Sequence, residues 1–428
     1  MLRSRKVAAL GAVVFGLLAV PAAAAADTLY VSHTATANGS DNSCSTAAFS
    51  RVQSAVDAAN GGDHVYLCGT APYGESVLVQ KQIDLGGDPG ATIQAPANAA
   101  VPGTYFSSQG LQTPNSVLTI IGDVKVGVDG LTIEGPFVNA GCGGDDFGVL
   151  AIGGAEVQLK DDSVLNIEAA DQLGLGGCQY GVGVQIGREN WPNTSGGFVV
   201  KDYVGEAQIQ DTTVSGYQKN GITVDGSGSE AQIHRSTVDG GGQNAMIARN
   251  GIQISRGATG DVHDNSVSGN EYTGTGPFAS ATGVLVFGGC GDPLSANVRV
   301  HDNTLTNNDS GVVLADYTAD PNCVASATTA TNNEANGNVI AKNDGVTNHS
   351  PFTDQQGAAY GGYQVGVADT GNHDQVNDNK ISSTDGAFGP PFASAPEFLA
   401  PIDIQTYPPI DSHVHNNDYN GAPTNPPY

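Results

Sequence analysis

The chain has 428 residues, with 16 Lys and Arg against 43 Asp and Glu, a formal charge of −27. So acidic a surface excludes nucleic acid and anionic lipid as partners, because both are held by basic side chains that neutralise phosphate. The 59 glycines, abundant Asn, Thr and Asp, and scarcity of Lys, Glu and Leu exclude a mainly helical fold, while recurrent short β-branched runs exclude disorder.

Residues 1–26 read as a secretory signal. Arg3, Arg5 and Lys6 form a basic start, Val7 to Val20 an apolar stretch, and Ala24, Ala25 and Ala26 a small-residue cleavage site before Asp27. The apolar stretch is short for a bilayer span, and no later run matches it. The mature chain is therefore expected to be exported and soluble, without a membrane span. Loss of three basic residues and no acidic ones takes its formal charge from −27 to −30. An anionic polysaccharide stays open as a partner if local basic patches or bound cations meet it.

Residues 27–100 predict an N-terminal cap and the first coils of an elongated β core. Thr28–Ser32 reads as a strand. Phe49–Asn60 places Phe49, Val52, Val56 and Ala59 on one helical face. His64–Cys68 reads as a strand, followed by a turn at Gly69–Gly74 and alternating strands in Val77–Leu85.

Residues 101–412 are built on two returning phrases. The first is apolar–x–(Asp/Arg)–small polar–x–apolar: LKDDSV at Leu159–Val164, IQDTTV at Ile209–Val214, IHRSTV at Ile233–Val238, VHDNSV at Val262–Val267, VHDNTL at Val300–Leu305 and VNDNKI at Val376–Ile381. A looser copy, VHNNDY at Val414–Tyr419, lies in the last partial coil and Pro-rich tail, 413–428. The second phrase, Gly–(Val/Ile)–x–(Val/Ile/Leu), starts at Gly183, Gly221, Gly251, Gly283 and Gly311. Its two apolar positions are two apart and point to one side of a strand. Neither phrase closes a sheet alone; stacked in parallel, they bury one apolar interior.

This predicts an all-β fold, a right-handed single-stranded parallel β-helix with a short N-terminal capping helix. Each coil would hold the two phrases and a third, less regular segment. The fourth position of the first phrase suits the bend, where Asn265, Asn303, Asn379 and Asn417 would stack as an interior amide ladder. An antiparallel sandwich would instead want evenly spaced hairpin turns, and the copies at 209, 233, 262 and 300 are unevenly spaced.

The string AFSRVQSAVDAANGGDHVYLCGTAPYGESVLVQKQIDLGG, Ala48 to Gly87, resembles the N-terminal capping segment of the pectate-lyase-like β-helix superfamily. VHDNTLTNNDSGVVL, Val300 to Leu314, is similar to that superfamily's generic repeat. The resemblance implies the fold over most of the mature chain but no single chemistry, since the superfamily spans lyases, hydrolases, esterases, epimerases and non-catalytic surface proteins. Gln210-Asp211-Thr212 matches a pectin-esterase fragment without its companion motifs. The polygalacturonase and alginate-epimerase motifs are absent from the sequence.

Six cysteines in an exported chain predict disulfides. The coil register pairs Cys142 with Cys178 and Cys290 with Cys323; Cys44 and Cys68 flank the capping helix. No pair has the Cys-x-x-Cys spacing of structural zinc.

Long insertions flank the second phrase and predict a trough with its sheet as floor. Gln185, Thr223 and Gln253 would offer polar groups to a substrate; Leu285, Phe287 and Val313 would be apolar. Arg188 and Arg256 share a register two coils apart with Asp225 nearby, so a carboxylate between two guanidiniums is expected, able to orient a uronate. Asp316 and Asp369 would occupy the same place further along. Trp191 and Tyr180 would stack a sugar ring. In a lyase-type reaction an Arg would take a proton while Asp-bound Ca²⁺ neutralised the uronate. Asp145 and Asp146 are the weak candidate Ca²⁺ ligands; an ordinary polar turn is the favoured explanation of them. Surface ion pairing is the alternative for Arg188, Asp225 and Arg256.

His234, His263 and His301 share the second position of the first phrase, repeated at His415. Stacked outside, they would form a line, either a pH-sensitive surface or a tolerated run of flat side chains; a metal site needs groups that converge. The sequence thus predicts an exported protein that binds extracellular polysaccharide above the second phrase and, if catalytic, acts as a polysaccharide lyase or glycoside hydrolase. The alternative is a non-catalytic envelope or adhesive rod.

Overall fold

The structure, a computed structural model, describes residues 26–36, 39–138, 145–169, 179–289, 291–317, 330–353, 359–384, 387–388, 399–404 and 411–423. Three long sheets carry the fold. The first has 12 strands, from Thr28–Val31 to His413–His415. The second has 12, from Tyr73–Gly74 to the hairpin Asp418–Tyr419 and Ala422–Pro423; the third has 10, from Val77–Val79 to Leu399–Ile404. Every neighbouring pair is parallel except that terminal hairpin.

One coil shows the plan. Glu230–His234 lies in the first sheet, Thr237–Asn244 in the second, Asn250–Ser255 in the third, and Thr259–His263 returns to the first one rung on. The first phrase therefore straddles a corner between two strands. The expected third, irregular segment is the regular run that leads into it, hidden because its outward positions vary freely.

Burial drives the stacking. Ile233, Val262, Val300, Ala335 and Val376 form one inward row, Val214, Val238, Val267, Leu305 and Ile340 a second, and Ile186, Val224, Ile254, Val286 and Leu314 a third. All are at most 1% exposed. Each fully buried aliphatic side chain contributes about 1.5–3 kcal/mol, and a one-residue slip would turn a whole row outward.

The corner divides its work between two positions. The third residue of the phrase turns the chain: Asp161, Asp211, Arg235, Asp264, Asp302 and Asp378 all have φ between 51° and 57°. Asp tolerates this left-handed region because its short side chain bonds locally. The fourth residue points inward and ties the coils, so the bend falls one position earlier than the sequence predicts. Asn265 Nδ2 donates to Asn303 Oδ1 at 3.0 Å, Asn303 to Asn338 at 3.0 Å, Asn338 to Asn379 at 3.0 Å and Asn379 to Asn417 at 2.9 Å. Asn338 belongs to a copy, Ala335–Ile340, in which Gly337 (φ 66°) replaces the turning Asp.

The N-terminal helix is Val52–Ala58, with Val52, Ala55 and Val56 buried in the main core. Its first amides are met by buried Glu75, which accepts from Val52 N at 2.8 Å and Gln53 N at 3.2 Å. Cys44 and Cys68 form a disulfide, with Cα atoms 5.6 Å apart. Cys142, Cys178, Cys290 and Cys323 lie outside the described residues. No helix of the described residues is long and apolar enough to cross a membrane.

Candidate functional site

The outer face of the third sheet is the expected trough floor. Its outward row runs Thr119, Leu150, Gln185, Thr223, Gln253, Leu285, Val313 and Ala368. Over the first coils this face is closed. Phe106, Phe147, Leu150, Ile152, Trp191 and Tyr203 make a second apolar core, contributed partly by the short helix Tyr105–Ser108 and by the antiparallel hairpin Arg188–Pro192 with Phe198–Tyr203.

Trp191 is 0% exposed. It stacks on Phe106 with ring centroids 5.0 Å apart and donates Nε1–H to Gln112 O at 3.1 Å. It therefore cannot offer a face to a sugar, contrary to the sequence expectation; an aromatic on a long loop has folded back to bury its own apolar area. Tyr180 is half-buried, and burial, then the charge of Asp145, pushes its phenol up.

The two arginines do not share a carboxylate. Arg188 Nη2 donates to Asp145 Oδ1 at 3.2 Å, and its guanidinium lies 5.5 Å from the Phe147 ring and 5.2 Å from the Trp191 ring. Asp225 is fully buried; it accepts from Arg256 Nη2 at 2.8 Å, Ser255 Oγ at 2.8 Å and Glu189 N at 3.0 Å. Arg188 opens the inserted hairpin and pairs with Asp145, just before the strand Asp146–Ile152. Arg256 is held by the neighbouring rung. Each guanidinium is neutralised inside the protein, so the expected triad is two separate ion pairs.

Asp145 and Asp146 are 4% and 2% exposed. Asp145 is occupied by Arg188, while Asp146 accepts from Asn115 Nδ2 at 2.8 Å. Burial pushes Asp146 up to about 6. Calcium wants several converging, solvated oxygens, and this donor-satisfied pair under an apolar core does not fit it.

Among the predicted substrate-binding amides, Gln185 is buried and donates to Gly187 O at 2.7 Å, and Thr223 is buried and accepts from Asn220 Nδ2 at 3.0 Å. Gln253 alone of the three is half-exposed. Its Oε1 accepts from Asn220 at 3.1 Å and Asn250 at 3.2 Å, and its Nε2 donates to Ser255 Oγ at 3.0 Å. The chain Asn220–Gln253–Ser255–Asp225–Arg256 is thus a connected network, and satisfied networks hold side chains still.

Beyond Gln253 the outward row turns apolar: Leu285, Phe287 and Val313 are half-buried. At the C-terminal end Tyr363, Val365 and Ala368 close it again, packed with Val313. Gln253 to Val313 spans two rungs, about 10 Å.

The sequence marks neither the burial of Glu189 nor the inward register of Asp369. Glu189, on the hairpin beside Asp225, is 8% exposed; burial, then the charges of Asp225 and Asp292, push it up to about 7. Asp369 does not align with Asp316. Leu314 pairs with Asp369, which puts a carboxyl in the inward row. Burial raises it, and burial with the charge of Asp369 pushes Asp374 up to about 9. No motif marks either residue; alignment on Gly311 and Gly366 would have exposed the Asp369 register.

The imidazoles stack outside as expected: ring centroids are 5.1 Å apart from His234 to His263 and 5.0 Å from His263 to His301. His263 and His301 bond Asp264 and Asp302 through Nδ1 at 2.8 and 2.9 Å. Asn336 and Asn377 continue the row to His415. Among the described residues, no group of three or more His, Cys, Asp or Glu side chains is arranged to hold a metal ion.

Neither a protein-family model nor a curated protein matches this chain. Solved structures similar to it include XylC in complex with xylose (10% identity over 92% of this chain and 86% of that one, TM-score 0.45). Others are the Dettilon tailspike protein (10%, 78% and 59%, TM-score 0.37) and a tailspike protein of E. coli bacteriophage HK620 in complex with pentasaccharide (11%, 85% and 60%, TM-score 0.39). The chain spans less than two thirds of either tailspike.

Proposed function

We propose that this chain is an exported right-handed parallel β-helix of the pectate-lyase-like type, capped by the helix Val52–Ala58, that binds extracellular polysaccharide on its third sheet. The hand follows the rule for parallel crossover connections. The observation that carries the reading is the half-buried outward row from Gln253 through Leu285 to Val313, with a buried apolar cluster on the sheet at either end. A polar amide beside an aliphatic strip matches a sugar, which carries hydroxyls on its rim and C–H groups on its faces.

Binding is favoured over cleavage. Arg188 and Arg256 are neutralised by Asp145 and Asp225, which leaves neither to act as a base or to hold a uronate. The second reading, a non-catalytic envelope rod, is favoured by the interior asparagine ladder, which stiffens the coils without serving any site.

The test is retention of the protein on immobilised polygalacturonate, alginate and xylan, for wild type and Leu285→Glu. Wild type is expected to be held by at least one and the variant released. Assays for unsaturated products and reducing ends, with and without Ca²⁺, are expected to be silent.

A further inference from the structure

The first strand of the first sheet, Thr28–Val31, has a neighbouring strand on one side only, His64–Leu67. Leu29 and Val31 enter the main core, so polar contacts just before the strand decide where the chain joins the coil. Two meet at Asp27. Its carbonyl accepts from His64 N at 2.8 Å, and its N donates to Asp63 Oδ1 at 2.9 Å. Adjacent residues at the start of the second rung thus grip both backbone groups of Asp27.

Asp63 is 4% exposed, and among the described residues its carboxylate is met by amides alone. Asp27 N lies on Oδ1, while Asn60 N at 2.7 Å and Asn60 Nδ2 at 3.3 Å lie on Oδ2. The Asn60 amide, then the Asp27 amide, hold the carboxyl below the ordinary range, so it is ionised near neutral pH. Lys81 is spent elsewhere, on Asp57 O at 3.0 Å and Ala59 O at 2.8 Å. Covered charges ordinarily have a counter-charge, and this one has none beside it while residue 27 is a peptide amide. Removal of the leader supplies one. Ala26 and Asp27 are both exposed, and Asp27, Asn60 and Asp63 line a cleft of about 700 Å³. Hydrolysis breaks the C–N bond between Ala26 and Asp27, adds the water oxygen to the Ala26 carboxyl and leaves an amine on Asp27. That amine takes up a proton, because an α-amino group titrates at about 7.7–8.0.

We propose that the α-ammonium of Asp27, released when the leader is cut off after Ala26, forms an ion pair with Asp63 that locks the first coil of the mature chain. This rests on the exported reading above. Before the cut the contact is a neutral amide bond; after it, the same nitrogen is charged, and charge-assisted hydrogen bonds are roughly twice as strong as neutral ones. Processing thereby tightens the one strand of the first sheet's N-terminal edge, Thr28–Val31, at the point where it enters the fold.

The test has two arms. In the first, the full chain with its leader is produced in an exporting bacterium and the secreted protein is sequenced from its N-terminus; Asp27 is the expected first residue. The second compares residues 27–428 with Asp27 as the free terminus and the same chain carrying one extra N-terminal glycine, each also as Asp63→Asn. Amide exchange over Thr28–Val31 is expected to be about fivefold slower with the free Asp27 terminus, the step from a neutral to a charge-assisted hydrogen bond. In Asp63→Asn the glycine is expected to make no difference. Acylation of the terminal amine at about pH 8, which needs the unprotonated form, is expected to be slower for Asp27 than for the added glycine, a readout independent of how well Asp63→Asn folds. A leader that stays attached, with the protein kept inside the cell, overturns the ion pair and the exported reading together. An exported chain that starts elsewhere, or equal exchange and equal acylation with and without the glycine, overturns the ion pair and leaves export standing.

Discussion

Arg256 donates to Asp225 across 2.8 Å, and Asp225 is wholly buried while the Arg256 side chain is 20% exposed. The pair sits one rung from the apolar outward row and fixes Ser255, and through it Gln253. Removing one member of a buried pair leaves a desolvated charge and costs about 3–5 kcal/mol. Arg256→Ala should fall toward the lower end, because water reaches the vacated space. Denaturant unfolding checks this, and a loss under about 1 kcal/mol would mean that Asp225 does not depend on the guanidinium.

Asn338 sits in mid-ladder: its Oδ1 takes both the backbone N and the Nδ2 of Asn303, and its Nδ2 gives to Val300 O and Asn379. Asn338→Ala strands several buried polar groups and should cost about 2–4 kcal/mol. Asn338→Ser should be milder, since Ser236 and Thr212 serve the same position two and three rungs before Asn303. Equal losses for Ala and Ser would contradict the ladder's role.

The interior acids set a pH dependence. Asp374 is raised to about 9 and Asp162, Glu189 and Glu271 to about 7, with burial the first cause in each. A carboxyl whose folded value lies above its unfolded value of about 4 binds its proton more tightly when folded, so its contribution is full below about pH 4 and is lost as pH rises through the folded value. Stability should therefore decline from about pH 5 to pH 9. Asp374→Asn, which fixes the neutral form, should flatten the upper part of that fall. Melting curves across the range check it, and a midpoint that climbs toward pH 9 would refute it.

The repeat makes the scaffold legible in the sequence. It locates the line of His234, His263 and His301 and four rungs of the asparagine ladder, while the Cys44–Cys68 bridge follows from the two cysteines flanking the capping helix. What it concealed has a common cause: insertions carry no period. The hairpin around Trp191 and the segment around Phe106 cover the first coils, and nothing in the repeat announces them. The ion pairs escaped for a related reason, because register fixes neighbours along the sheet but not the residue that takes Arg188.

Cys44 and Cys68 close a loop of 24 residues around the helix Val52–Ala58. In the loop-entropy account such a link contributes about 3 kcal/mol. The paired change Cys44→Ala with Cys68→Ala should loosen the N-terminal coils first. Limited proteolysis would show cuts within residues 39–75 while later coils resist; cleavage spread evenly along the chain would tell against a local role.

In the proposed function, saccharide lies on the third-sheet floor between Gln253 and Val313. Hydroxyl-radical footprinting of wild type, with and without a saturating hexamer that binds it, tests this most directly. Protection is expected at Leu285, Phe287 and Val313, with His234, His263 and the Phe198 hairpin unchanged. Protection on the histidine face or the hairpin, with the floor left reactive, would contradict it.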